Sequence, residues 1–227
     1  MPRMITVHHL ENSRSQRVLW LLEELGLRYK VQRYARNPKT MLAPPELAQV
    51  HPLGKSPVIT DGRTTVAESG AIVEYLIDRH GQGRLRPAQG TPEQLRYTYW
   101  LHFAEGSLMP PLLLKLVFDK LREAPVPFFV KPVVRGIADK VTSAFIGPNL
   151  KRLLSFMEVE LADRPWFAGD AFSAADIQMS YPLEAAAERA GLDARLHPRL
   201  TDWLSRIHAR PAYIKALEVG GPYSAVP

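Results

Sequence analysis

The sequence predicts a small α/β domain of βαβ-ββα order followed by an all-helical domain. Three observations lead there. Residues 4–35 run strand, helix, strand within ~30 residues, the length of a βαβ unit. Asp61-Gly62 lies between two short alternating segments, a strong hairpin signal, and a helix pattern follows at once. Beyond the Gly- and Pro-rich stretch 81–92 (GQGRLRPAQGTP), every periodic segment is helical.

Each element has its own warrant. Met4–Leu10 (MITVHHL) reads as a strand, and Glu11-Asn12-Ser13 as a polar break. Arg17–Leu25 carries Val18, Leu21, Leu22 and Leu25 at helical spacing, with Gly26 placed to end the helix. Residues 27–35 alternate apolar and polar, so the second strand should lie parallel to the first through a right-handed crossover. Pro44-Pro45-Glu46 opens a short helix, since proline is tolerated in a first turn. Ser56–Thr60 and Thr64–Ala67 form the hairpin, and Ser69 to about His80 a helix burying Ile72, Val73, Leu76 and Ile77. The expected boundaries are 1–83 for the α/β domain, 84–92 for the linker and 93–227 for the helical domain. Within the last, Leu95–Leu121 and Pro132–Leu161 read as long helices flanking the bend APVPFFVKP. Ser173–Asp176 reads as a capping box opening another helix, and 199–208 and 211–218 as two short final ones.

Composition narrows the chemistry. The 227 residues contain no cysteine, which excludes disulfides, thiolate metal sites and a cysteine nucleophile; any thiol must arrive with a ligand. The seven histidines are scattered with no H-E-x-x-H pattern, so no metal is expected. The net charge of +6 comes from basic residues spread along the chain, which reads as a solvated surface that attracts small anions rather than as a nucleic-acid site. No apolar run approaches the ~20 residues of a membrane span, and MPRMITVHHL is too polar for a signal peptide. The expectation is a cytoplasmic protein with no membrane partner.

Glu68-Ser69, at the start of the third helix, cannot be core filler. A helix N-terminus presents free N–H groups and partial positive charge to a carboxylate, Ser69 adds a hydroxyl, and Glu68 offers its carboxylate to an ammonium. The pair suits the zwitterionic end of an amino acid, although a plain helix cap is an alternative reading. Lys55-Ser56-Pro57 adds to it. Proline at the mouth of a strand implies an edge position or a cis bond; a cis bond would turn the Ser56 backbone outward to pair with an extended peptide, with Lys55 beside it for a terminal carboxylate. Ser13, four residues before Arg17, lies where a hydroxyl and a helix start favour a ligand thiolate. A thiol of pKa ~8.5 is only ~3% ionised at pH 7, and a drop of ~2 units, worth ~2.7 kcal/mol, makes it mostly thiolate. Asn12, Ser13 and Ser15 all qualify equally as ordinary N-caps.

A serine after the first strand, then G-K-S-P-V, then E-S 11 residues beyond the proline, then a helical domain with a capping box: this order resembles the glutathione S-transferase family over nearly the whole chain. The resemblance implies a thioredoxin-like N-terminal domain, an all-α C-terminal domain, glutathione as co-substrate, a small hydrophobic electrophile and a homodimer. It also implies site roles. Ser13 would stabilise the thiolate, with Asn12 and Ser15 as alternates. Lys55 would meet the glycine carboxylate, the Ser56 backbone before Pro57 the cysteinyl amide, and Glu68 and Ser69 the γ-glutamyl end. Arg17 is a further candidate, and Glu105 would reach the γ-glutamyl ammonium across a dimer interface or stand as a solvated helix-end carboxylate. His8-His9 stands where tyrosine-using members carry their catalytic residue, so the chain is similar to the serine-type, fungal and bacterial branch. Phe103, Met109, Leu112 and Phe118 are candidates for the electrophile pocket, or else interhelix core. Glutathione-dependent disulfide or peroxide reduction and a non-catalytic ligand carrier are the competing functions.

Overall fold

The computed structural model describes residues 4–221 and 223–224. Four strands, β1 (Ile5–Leu10), β2 (Tyr29–Tyr34), β3 (Val58–Asp61) and β4 (Thr64–Ala67), form one sheet in the order β2-β1-β3-β4. β1 and β2 are parallel, as a βαβ crossover requires, and β3 runs antiparallel to both β1 and β4. Helix α1 (Ser15–Glu24) makes the crossover and begins two residues earlier than its apolar spacing indicates. Helix α2 (Glu46–Val50) is a single short turn, and α3 (Ser69–His80) follows β4 directly. The expected buried face of α3 is the observed one: Ile72, Val73 and Leu76 are fully buried and Ile77 nearly so.

From Pro92 onward the chain is helical. α4 (Pro92–Phe103) and α5 (Met109–Arg122) are joined by a wider π-type turn at Ala104–Leu108, and α6 (Lys131–Val141) and α7 (Gly147–Glu160) by another at Thr142–Ile146. Each pair occupies a stretch that reads as one unbroken helix in the sequence. α8 (Ala174–Arg189), α9 (Pro198–His208) and α10 (Pro211–Gly220) complete the bundle. α8 is the central rod, buried from Ala174 to Ala186 without interruption. It opens on the expected capping box. Asp176 Oδ2 accepts the Ser173 N–H at 3.0 Å, while Oδ1 accepts the Phe167 N–H at 3.0 Å and the Trp203 indole N–H at 3.1 Å.

The sheet and the helical bundle share one core. Trp20 on α1 is fully buried, edge-on to Tyr213 of α10 at 5.1 Å and beside Phe172 at 5.6 Å. Arg210 caps this contact, bonding the Glu24 carboxylate at 2.6 and 2.9 Å while lying over the Phe172 ring. Arg17 on α1 bonds Ser69 at the start of α3 and Glu105 on the π-type turn before α5, so the first turns of α1 and α3 meet that turn.

Candidate active site

A cleft of about 280 Å³ opens between the two halves, lined by Arg14, Leu53, Lys55, Ser56, Pro57, Ala67, Glu68, Ser69, Glu105 and Leu113. All five residues expected to hold glutathione away from its thiol lie on it.

The Ser56-Pro57 peptide is cis. β3 is an inner strand, so the edge-strand reading of Pro57 is set aside in favour of the cis turn. Ser56 anchors that turn, since its hydroxyl donates to the His8 carbonyl at 2.9 Å and accepts the Leu10 N–H at 3.3 Å. Lys55 extends into solvent beside it.

Glu68 and Ser69 do not cap α3 with their side chains. Glu68 sits instead in the left-handed half of backbone space, at φ 70° and ψ 126°, where a residue with a Cβ is strained by ~1–3 kcal/mol. That conformation sets its exposed carboxylate on the cleft. Ser69 is buried, and its oxygen accepts from Arg17 at 3.0 Å, so its own proton remains to give to a ligand.

Arg17 organises the floor. Its guanidinium, only 1% exposed, donates to Ser69 Oγ, the Gln178 carbonyl and Glu105. Glu105 also takes two bonds from Arg14 Nε, at 3.1 and 3.2 Å. Burial pushes the Glu105 carboxyl up, but the Arg17 and Arg14 guanidiniums outweigh it and hold it below the usual carboxylate range. Glu105 is therefore not a freely solvated helix-end carboxylate: it lines the cleft of its own chain, turned inward by the π-type turn on which it sits. Arg14 and Arg17 both lie near the Tyr181 ring, 5.0 and 5.5 Å from its centroid.

The thiol-side candidates are less open. Ser13 is 5% exposed, and its hydroxyl donates to the Leu10 carbonyl at 2.8 Å. Its oxygen lies 2.7 Å from Ser15 Oγ. Ser15 is fully buried and turned to the His9 ring at 2.8 Å, which takes it away from the cleft. Asn12, at φ 47°, is half-buried and uses its side-chain oxygen to accept the Ser224 N–H at 2.9 Å. His9 is held at a pKa of about 4, by burial first and by the Arg33 charge second, so its ring is neutral near pH 7. Its neighbour His8 bonds the Tyr34 hydroxyl at 3.0 Å.

The four apolar candidates belong to the core. Phe103, Met109 and Leu112 are buried, Phe118 packs half-buried against the same cluster, and none borders the cleft. Its apolar lining comes from Leu53, Pro57, Ala67 and Leu113, the last about 100° round the helix from Leu112. Arg14, Leu53 and Leu113 carry no signal in the sequence, because each depends on the rotation of a helix or the path of a loop. Among the described residues no group of three or more His, Asp or Glu side chains is placed to hold a metal ion, and no helix is long and apolar enough to cross a membrane.

A βαβ-ββα sheet domain with a cis-proline turn, packed on a helical bundle across a cleft rich in paired charges, defines a thiol-ligand fold of the thioredoxin-like kind. Family profiles describe the particular group. The glutathione S-transferase N-terminal domain matches residues 13–79 and the C-terminal domain residues 147–211. Glutathione S-transferase 1 of Saccharomyces cerevisiae is 33% identical over 95% of this chain and 94% of its own length. Glutathione S-transferase 3 of Schizosaccharomyces pombe is 36% identical over 92% and 85%. The crystal structure of a glutathione S-transferase from Actinobacillus pleuropneumoniae is 34% identical, with a TM-score of 0.77 over 96% of this chain and 93% of that one. The chain belongs to the glutathione S-transferase family.

Proposed function

We propose that this protein is a glutathione transferase that binds reduced glutathione in the cleft, favours its thiolate, and adds the sulfur to an electrophilic carbon of a small hydrophobic molecule. One observation carries the reading: Lys55, Ser56, Pro57, Glu68 and Ser69, distant in the chain, line one cleft with an Arg-held carboxylate at its floor. In this reading Lys55 meets the glycine carboxylate and the Ser56 backbone pairs with the cysteinyl amide. The start of α3 and Ser69 take the α-carboxylate of the γ-glutamyl group, and Glu68 and Glu105 take its ammonium. Ser13, or Asn12 in its place, faces the sulfur. The thiol proton leaves to solvent, and the sulfur lone pair forms the carbon–sulfur bond as the carbon releases its leaving group (halide from an aryl halide) or gives up a π bond that then takes a proton from solvent. No covalent enzyme intermediate is needed, so rate comes from positioning and thiolate stabilisation. With no cysteine the chain cannot form a mixed disulfide itself, which favours conjugation over disulfide reduction.

We also propose a cytoplasmic homodimer with a detoxifying role. Leu95 and Tyr99 of α4 and Phe156 and Val159 of α7 form exposed apolar ground, joined through the Phe103–Phe156 ring contact at 5.8 Å, and this face suits a second copy. Light scattering on a Leu95→Glu, Val159→Glu variant should report half the native mass; an unchanged mass would remove this face as the interface.

Calorimetric titration with reduced glutathione tests the function. The expected result is saturable binding that Glu68→Ala weakens at least tenfold, with turnover of a generic aryl-halide electrophile by the native protein. No binding at millimolar glutathione would hand the cleft to the carrier reading.

A further inference from the structure

The residues after α10 lie beside the loop that carries the thiol-side candidates, and the bonds there are specific. Helix α10 finishes at Gly220, and Arg33 of β2 donates to the Val219 carbonyl and, at 2.8 Å, to the Gly220 carbonyl. His9 packs against Gly220, where an added Cβ would stand 3.5 Å from its ring, and the Gly220 backbone acts on the ring in the direction that favours protonation. The chain then turns at Gly221, φ 89°, where an added Cβ would stand 2.9 Å from the Arg33 guanidinium. Tyr223 donates to Glu184 Oε2 of α8 at 2.6 Å, and Ser224 donates its N–H to Asn12 Oδ1 at 2.9 Å.

Two routes run from this segment to residues 12–15. One is direct, from Ser224 to the Asn12 side chain, which sits in a strained left-handed conformation with its carbonyl held by Arg36 at 3.1 Å. The other passes through His9. Its Nδ1 lies 2.8 Å from Ser15 Oγ. The Ser15 hydroxyl also donates to the Leu10 carbonyl at 3.2 Å. Ser15 Oγ lies 2.7 Å from Ser13 Oγ, and the Ser13 hydroxyl donates to the same carbonyl at 2.8 Å, so His9, Ser15 and Ser13 form one hydrogen-bonded cluster. The groups facing His9 are Ser15, Gly220, Arg33 and Glu11, together with the buried Gln16 packed on Gly220.

We propose that Val219–Gly221 together with Tyr223 and Ser224 forms a strap that positions the thiol-side loop, with Tyr223, Ser224 and His9 acting as positioning residues for Asn12 and Ser13. The strap ties three elements together: β2 through Arg33, α8 through Glu184 and the loop itself through Asn12. It does not touch the Lys55 or Glu68 ends of the cleft. Loosening it should therefore disturb the sulfur and leave the hold on the rest of the tripeptide.

The inference rests on the glutathione reading, and the test separates the two. Full-length Tyr223→Phe, which loses the anchor to Glu184, and Ser224→Pro, which loses the N–H to Asn12, are compared with the native protein in two measurements. Amide hydrogen exchange without ligand should rise severalfold in peptides spanning residues 9–16 in both variants. The pH profile of kcat/KM and the ultraviolet thiolate absorbance of bound glutathione should move to higher pH by about one unit, with kcat at neutral pH down about tenfold and glutathione affinity within twofold. Unchanged exchange would overturn the strap. Raised exchange with an unmoved thiol profile would overturn its positioning role. A native protein that fails to bind glutathione at all would overturn the functional reading, while the exchange result would still report on the strap.

Discussion

At the scale of single residues, Arg17 and His9 show how burial assigns work to side chains. An arginine 1% exposed is retained when its charge is paired, and Arg17 places its two terminal nitrogens on three acceptors from three elements while its buried Nε–H stays unbonded. Lysine keeps the charge but not the planar fork that reaches all three. Arg17→Lys is expected to fold, to raise the KM for glutathione about tenfold, and to leave kcat within about threefold; a drop in kcat at constant KM would mean that Arg17 acts at the sulfur instead. His9 carries a pH signature. Its pKa falls from 6.5 in the unfolded chain to about 4 in the fold, so the unfolded state binds the extra proton between those values. The stability this neutral ring permits is complete above pH 6.5 and is lost as pH falls toward 4, by up to ~3 kcal/mol. Urea unfolding of native protein and His9→Gln across that window checks it: the native protein should gain stability relative to the variant as pH rises from 4 to 6.5, and a flat difference would contradict the burial argument.

Elements explain what the sequence makes legible. The strands, α1, α3 and the capping box could be read because apolar period and turn residues agree locally, and the run Lys55-Ser56-Pro57 and the pair Glu68-Ser69 could be read because neighbours in the chain remain neighbours in the cleft. The π-type turn at Ala104–Leu108 could not. Buried Tyr97, Trp100, Leu101, Ala104, Leu108 and Leu112 recur at three- and four-residue steps that also fit an unbroken helix. The extra residue is set by packing against α8, and it is what turns Glu105 to Arg14 and Arg17 while Leu112 goes to the core and Leu113 to the cleft. Asp176 is the opposite case, a local motif with a long reach. Burial pushes its carboxyl up, against bonds from Phe167, Ser173 and Trp203 that stabilise the charge. Asp176→Ala would leave those buried donors unpaired, and a loss of at least ~3 kcal/mol is expected, with Asp176→Asn recovering part of it. Urea midpoints order the three proteins; Ala and Asn falling together would show that the charge, not the acceptor geometry, does the holding.

Across the whole molecule the two halves behave as one folding unit with a cleft at its seam. Trp20 is fully buried where α1, α10 and Phe172 meet, and the Glu24–Arg210 pair closes over the same contact. Such a core has no plane along which one half could open and keep its apolar surface covered. Trp20→Ala removes a large side chain from a site ringed by other rigid ones, so ~3–5 kcal/mol should be lost. The form of that loss distinguishes a shared core from two independent ones. With a shared core, far-ultraviolet helix signal, near-ultraviolet tryptophan signal and glutathione binding all disappear at one lowered denaturant midpoint, because the cleft exists only while both halves are docked. With independent cores, the variant would lose glutathione binding first and keep a helical transition at the native midpoint. Superimposable transitions in the variant would place the stability of the cleft in the α1–α10 seam, far from any residue that lines it.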